Sequence, residues 1–242
     1  MLDRLTDDEV ARFDADGFLI LPKLIERGEA EAVAARFEPL FEGKFETGLY
    51  PDEWNWQEGR DRADRTRQIC NGWKSDRTVA ALVLRREVGK LCAQLGRWKG
   101  ARVVQDNVIW KPPGAKSLGY HQDNSYADWI DPPAMLTCWI ALDDTSAAGG
   151  TIEYVKGSHK WGRFPPARQF HAPEDYRKEM AAAARSIGKE PEIVFVEVPD
   201  GGCAFHHGWC WHGSGANSAD RPRRSAVTHC MSSEAKFHPT HI

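Results

Sequence analysis

A chain of 242 residues with a net charge of −3 offers a polyanion no electrostatic footprint, and its arginines alternate with carboxylates, as in Arg60-Asp61-Arg62-Ala63-Asp64-Arg65, which argues against nucleic acid as a partner. With 41% apolar and 28% charged residues the composition is that of a soluble globular protein; no apolar run approaches membrane-spanning length, and MLDRLTDDEVARF has acids where a signal peptide needs an apolar core. The expectation is a cytoplasmic protein with no membrane partner, whose six cysteines (Cys70, Cys92, Cys138, Cys203, Cys210 and Cys230), lacking any C-x-x-C pair, are reduced thiols.

Thr6-Asp7-Asp8-Glu9 reads as a capping box that opens a helix, and Asp16-Gly17 closes it. Phe18 to Leu21, before Pro22, reads as a short buried strand. Apolar residues at helical spacing then predict a helix from about Glu26 to Phe41 and another from about Asp76 to Leu95. Between them, Phe45 to Lys74 follows neither period yet carries Tyr50, Trp54, Trp56 and Trp73, a length and aromatic content that suggest a functional loop.

From about Arg102 the pattern changes to short strands punctuated by Pro and Gly: RVVQDNVIW, MLTCWIAL, TIEYV, EIVFVEV, GGCAFHHGW and SAVTHCM. Such runs predict a mainly β jelly roll with flanking helices, not a parallel α/β sheet. A helix from Pro173 to Ile187 interrupts it. No linker divides the chain, so one domain over 1–242 is expected, helical over about 1–100 and jelly roll over about 101–242.

GYHQDNSYADW, from Gly119 to Trp129, sets His121 and Asp123 one residue apart. On a strand these side chains share a face and can supply two ligands to one ion, although alone such a pair is far more often a polar corner. A second cluster, HHGWCWHGSGAN from His206 to Asn217, precedes Arg221, Arg223 and Arg224. Two histidines and a carboxylate on an octahedral iron leave three positions for dioxygen and a bidentate co-substrate. An arginine fork nearby suits a carboxylate.

Together these residues resemble the phytanoyl-CoA dioxygenase family of iron(II)- and 2-oxoglutarate-dependent oxygenases. The resemblance runs through LTDDEVARFDADGFLIL, WKPPG at 110–114, HQD at 121–123, MLTCWIALDD at 135–144, GGTIEYVKGSHK at 149–160 and HGSGANSADRPRR at 212–224. It implies a cupin-like double-stranded β-helix, with His121, Asp123 and His212 as the iron triad. It further implies Arg223, Ser214 and Trp139 as 2-oxoglutarate contacts, and Gln105 as a position that faces substrate in some relatives. An Asn on that same strand helps hold the co-substrate in certain relatives; Ile109 stands at the corresponding position here, so that contact is not supplied. The implied reaction uses iron(II), 2-oxoglutarate and O2 to hydroxylate a small molecule with release of succinate and CO2. Relatives that halogenate replace the carboxylate with a small residue, so Asp123 argues for hydroxylation.

His206 and His207 read as packing or hydrogen-bonding residues, His159 as a turn residue, and Trp110, Trp161 and Trp209 as core aromatics. Arg221, sharing strand parity with Arg223, is the second choice for the co-substrate; Asn217 braces the turn after His212. Substrate contacts are expected from Tyr50 to Trp73 and from Asn124 to Pro133, with Tyr126 and Trp129 nearest the iron. Arg60, Arg62, Arg65 and Arg67 are candidates to meet a carboxylate or phosphonate. Two other functions fit parts of the pattern: a cupin-like metal enzyme without 2-oxoglutarate, which leaves Ser214 and Arg223 without a task, and a non-catalytic β-sandwich binding module, which makes the iron constellation a coincidence.

Overall fold

The structure, a computed structural model, describes residues 2–238. Its helices are α1 (Asp7–Asp16), α2 (Arg27–Ala34), α3 (Phe37–Phe41), α4 (Arg77–Val83), α5 (Arg86–Gly96) and α6 (Lys178–Ser186). The larger sheet contains β1 (Phe18–Leu21), β2 (Glu53–Trp54), β3 (Arg67–Cys70), β4 (Ala101–Lys111), β7 (Met135–Ala141), β10 (Cys203–His207) and β12 (Arg223–Ser232). Facing it is a sheet of β5 (Leu118–His121), β8 (Ile152–Val155), β9 (Ile193–Phe195) and β11 (His212–Ser214), while β6 (Ile130–Asp131) pairs with β13 (Lys236–Phe237). Strand order is β1-β10-β7-β12-β4-β3-β2 in the first sheet and β5-β11-β8-β9 in the second. Every pairing is antiparallel, as a jelly roll requires.

The period of two along each strand explains where the core and the site lie. In β7, Leu136, Cys138 and Ile140 join a core shared with α1 to α5, while Trp139 and Ala141 face the second sheet and pack near Ile152 and Tyr154. Covered on both faces, β7 is buried throughout, so its sequence is a nearly unbroken apolar run. β10 divides the same way, with Cys203 and Phe205 toward the helices and Ala204 between the sheets.

The capping box of α1 forms: Thr6 N donates to Glu9 Oε2 at 2.8 Å, and Glu9 N to Thr6 Oγ1 at 3.3 Å. Gly17 ends that helix at φ 83°, a conformation that favours glycine. The helix expected over Glu26 to Phe41 is instead two, α2 and α3. Pro39 has no N–H to bond the carbonyl four residues back, and it sits within the first turn of α3, where none is needed. The helix expected over Asp76 to Leu95 also divides, into α4 and α5, and the Thr228 hydroxyl caps the Val83 carbonyl at 3.0 Å. The interrupting helix is shorter than expected, because Tyr176 and Arg177 turn aside to bind Glu153 at 3.0 and 2.6 Å. The aperiodic stretch from Phe45 to Lys74 contributes β2 and β3 to the large sheet.

Candidate metal centre

β5 ends on His121 and β11 begins on His212, and their antiparallel register sets the two histidines opposite each other, ring centroids 4.2 Å apart. Gly213 permits the close approach: a Cβ there would stand 2.6 Å from the Tyr120 ring. Beyond His121 the buried Gln122 pins the corner, donating to Trp209 O at 2.8 Å and Gly162 O at 3.1 Å while accepting from Phe164 N at 3.1 Å. Asp123, opening a single 3-10 turn, is thereby turned into the space between the two rings. Ligand atoms of His121, Asp123 and His212 all lie within 4.8 Å of one another.

Each of the two imidazoles contacts a backbone carbonyl through Nδ1, His121 that of Gly119 at 3.0 Å and His212 that of Cys210 at 2.9 Å. A carbonyl only accepts, so the proton resides on Nδ1 and the Nε2 lone pair is left for a metal. Both Nε2 atoms stand 3.4 Å from Asp123 Oδ1. Burial opposes a charge on Asp123, but the neighbouring His212 and His229, the close His121 ring and the hydrogen bond from His206 outweigh it and hold the carboxyl well below its usual range. Burial, with His212 beside it, pulls His121 down, whereas Asp123 overcomes burial and pushes His212 up. An ionised, buried carboxylate between two preset imidazoles fits a divalent cation, and this donor set suits iron(II).

The centre opens into a cavity of about 540 Å³ between the sheets, and Arg223 lines its far end with Ser214, Trp139 and Ile109. Arg223 is 2% exposed; Nη1 donates to Ser225 Oγ at 3.0 Å, Nη2 to Gly150 O at 2.9 Å, and Nε–H is buried without a partner. Burial lowers this guanidinium only to about 10, so it keeps its charge. Its carbon lies 5.9 Å from the Trp139 ring centroid. Opposite Arg223 in the β4–β12 register stands Lys111, fully buried, its Nζ on the carbonyls of Gly215 and Ser214. Burial and the neighbouring Arg223 draw Lys111 well below the ordinary lysine value. Arg223, a buried cation beside the Ser214 hydroxyl on the cavity wall, can pair with the carboxylate of a small anion.

The profile of the phytanoyl-CoA dioxygenase (PhyH) family matches residues 13–225. The chain belongs to this family. Among its relatives, phytanoyl-CoA dioxygenase 1 of Oryza sativa subsp. japonica is 23% identical over 95% of this chain and 90% of its own. A phytanoyl-CoA dioxygenase domain-containing protein 1 of Danio rerio is 23% identical over 96% and 92%. Among solved structures, the alpha-ketoglutarate-dependent carbocyclase SnoK from nogalamycin biosynthesis superposes with a TM-score of 0.74 at 24% identity, covering 98% of this chain and 88% of that one. EctD from S. alaskensis, solved with 2-oxoglutarate and 5-hydroxyectoine, gives 0.74 at 18% identity over 97% and 78%. Those two structures carry the fold, a cupin-like double-stranded β-helix. As a member of the phytanoyl-CoA dioxygenase family, the chain is an iron(II)- and 2-oxoglutarate-dependent oxygenase whose reagents include O2. Neither the cupin-like enzyme without 2-oxoglutarate nor the non-catalytic module agrees with that membership.

Several neighbours of the triad differ from what the sequence suggests. His206 does hydrogen-bond, but to the site itself: its Nε2 lies 2.9 Å from Asp123 Oδ2, and its ring borders the cavity. His207 points away, accepting from Trp209 N at 3.1 Å and packing on His159. Period two carries the signal that separates them, since in β10 position 206 shares the inner face with Ala204. Lys111 shares parity with Gln105 and Ile109 on β4 and could have been found the same way.

Gln105, Tyr126 and Trp129 all border the cavity; Tyr126 lies against the His121 ring at 5.9 Å, and Trp129 stacks on Phe237. From the aromatic loop, however, the lining residues are Glu53, Asn55, Gln68 and Cys70, while Tyr50 and Trp73 are exposed. The loop arginines are spent elsewhere. Arg60 and Arg65 pair with Asp61, Arg62 pairs with Asp64, and Arg67 is sandwiched between Trp56 and Trp110 at 3.6 and 4.3 Å from their centroids. Arg221 is exposed and precedes β12, and Arg224 binds Asp143. Asn217 braces its turn, donating to the carbonyls of Lys111, Pro112 and Arg221 at 3.0, 3.2 and 2.9 Å.

Proposed function

We propose that this oxygenase hydroxylates a small-molecule metabolite, with His121 Nε2, Asp123 Oδ1 and His212 Nε2 as the iron ligands. The observation that carries the proposal is the pair of imidazoles set opposite each other by strand register, each with Nδ1 committed to a carbonyl and Nε2 turned to one carboxylate oxygen. When bound, iron(II) with 2-oxoglutarate and O2 supplies the oxidation, releasing succinate and CO2. The chain's own residues bind, orient and exclude water. Arg223, with Ser214, grips the distal carboxylate, Lys111 braces the Ser214–Gly215 backbone behind them, and Trp139 walls that end. Gln105, Tyr126 and Trp129 belong to the substrate's side of the cavity. Tyr126 and Phe170 pack against the exposed edge of His121, with Phe170 at 4.9 Å between centroids, and narrow the approach to the metal. Asp123 occupies the position whose absence would free a site for halide, which supports hydroxylation.

The helices of the first hundred residues share one core with the large sheet, which supports a single oxygenase domain over 1–242. All six cysteines are free and buried, consistent with a reducing, cytoplasmic compartment. Among the described residues no helix is long and apolar enough to cross a membrane.

The test is a metabolite screen with iron(II), 2-oxoglutarate and O2 that reads succinate. The expected result is a compound that raises succinate above the substrate-free level with wild type and not with His212→Ala. Equal succinate from both proteins, at equal iron content, would remove the triad from the reaction.

A further inference from the structure

Within the apolar run Met135–Ala141 stands one hydroxyl, Thr137, and it is fully buried. Strand register sets Thr137 opposite His206 on β10 and opposite His229 on β12, and His229 in turn opposite Gln105 on β4. One polar row thus crosses four adjacent strands on the face that lines the cavity. Polar groups this deep need a reason beyond packing, since an apolar row would cost nothing to bury.

The direction of each hydrogen bond in the row follows from the one before it. Asp123 Oδ2 accepts from Thr137 Oγ1 at 2.7 Å and from His206 Nε2 at 2.9 Å. Having spent its single hydrogen, Thr137 Oγ1 accepts from His229 Nδ1 at 2.8 Å. His229 Nε2 in turn lies 2.9 Å from Asn107 Nδ2. That fixes the Asn107 amide, whose Oδ1 accepts from Gln68 Nε2 at 3.0 Å and Gln105 Nε2 at 3.1 Å. On the other side Tyr154 OH meets His206 Nδ1 at 2.9 Å and leaves its Nε2–H for Asp123. Both donors converge on Oδ2, so Oδ1 alone faces the two imidazoles.

We propose that Thr137 and His229 are positioning residues: they hold Asp123 with one oxygen only toward the metal, and they tie that ligand to the amide wall of Gln68, Gln105 and Asn107 that borders the cavity. The role rests on the iron site proposed above. It gives the otherwise apolar β7 strand its hydroxyl and His229 its partners on both sides. Without Thr137, Asp123 keeps one donor at Oδ2 and loses the fixed orientation that presents Oδ1 between the two imidazoles.

The experiment adds iron(II) and then 2-oxoglutarate, without oxygen, to wild type, Thr137→Val, Thr137→Ser, His229→Leu and His229→Asn. Iron affinity and the position of the weak visible charge-transfer band are read together, with folding followed by circular dichroism. Thr137→Val and His229→Leu are expected to bind iron roughly ten- to a hundredfold more weakly and to displace the band. Thr137→Ser keeps the hydroxyl, and His229→Asn keeps a donor near the Nδ1 position, so both should retain the wild-type band. A row that served folding alone would change thermal stability and leave the band in place. Should Thr137→Val not fold, the His229 pair makes the same comparison. A wild-type band matched by Thr137→Val or His229→Leu at unchanged iron affinity overturns the positioning role alone. A wild type with no band overturns the oxygenase site itself, and the role with it.

Discussion

Replacing Arg223 with alanine removes a buried fork from the end of the cavity opposite the triad. In the free protein two of its N–H groups already serve Ser225 and Gly150, and the partnerless Nε–H is the one that an incoming carboxylate would satisfy. Losing one partner of such a buried, hydrogen-bonded charge pair costs about 3–5 kcal/mol. At about 1.4 kcal/mol per tenfold, 2-oxoglutarate affinity should fall by roughly two to three orders of magnitude. Arg223→Lys should fall between, because an ammonium restores charge but not the planar fork. The assay is calorimetric titration of 2-oxoglutarate into manganese-loaded protein, with circular dichroism to confirm folding. Metal affinity serves as the control, expected to be unchanged. Normal 2-oxoglutarate binding in Arg223→Ala, with the loss appearing in Arg221→Ala, would refute the reasoning.

Asp123→Gly removes one charge and one ligand, so iron titration should show weaker binding and product analysis little hydroxylation, with chlorination slight or absent. Asp123→Glu should keep some metal and little activity, because the longer arm displaces the carboxylate; equal iron affinity in wild type and both variants would make the triad a polar corner. Arg67→Ala should lower stability by about 1–2 kcal/mol through lost stacking on Trp56 and Trp110, seen as a lower melting temperature, and leave 2-oxoglutarate affinity untouched. Asp106 is raised to about 7 by burial, against hydrogen bonds from Trp73 N and Gly72 N. Its folded pKa lies above its unfolded value, so its contribution is fully present below about pH 4 and is lost as pH rises to about 7. Denaturant unfolding of wild type should therefore weaken relative to Asp106→Asn by up to about 4 kcal/mol across that window and stay level above it; a difference that does not vary with pH would contradict this.

What could be read from the sequence was whatever repeats or caps locally. Thr6 and Glu9 announce α1 because their side chains bond the backbone within one turn. The long strands declare themselves by apolar runs, since covering β7 on both faces leaves no room for polar alternation. His121, Asp123 and His212 were named as a triad through the family resemblance; the strand register that brings them together was not legible, because β11 is only His212–Ser214 and a three-residue strand has no measurable period. Gln68 and Cys70 lay hidden for a related reason: β3 is short, and Arg67 looks like a solvent charge until Trp56 and Trp110 close over it. His206 and Lys111 are a different case. Parity along β10 and β4 would have turned both inward, but a histidine pair and the lysine that opens KPPG look like surface punctuation until the strand ends are known.

The most direct measurement is anomalous diffraction at the iron edge from crystals grown without oxygen in iron(II) and 2-oxoglutarate. The account predicts one peak coordinated by His121 Nε2, Asp123 Oδ1 and His212 Nε2, with 2-oxoglutarate density running from it to Arg223. A peak held by His206 in place of Asp123, or a co-substrate whose distal carboxylate lies away from Arg223, would contradict it.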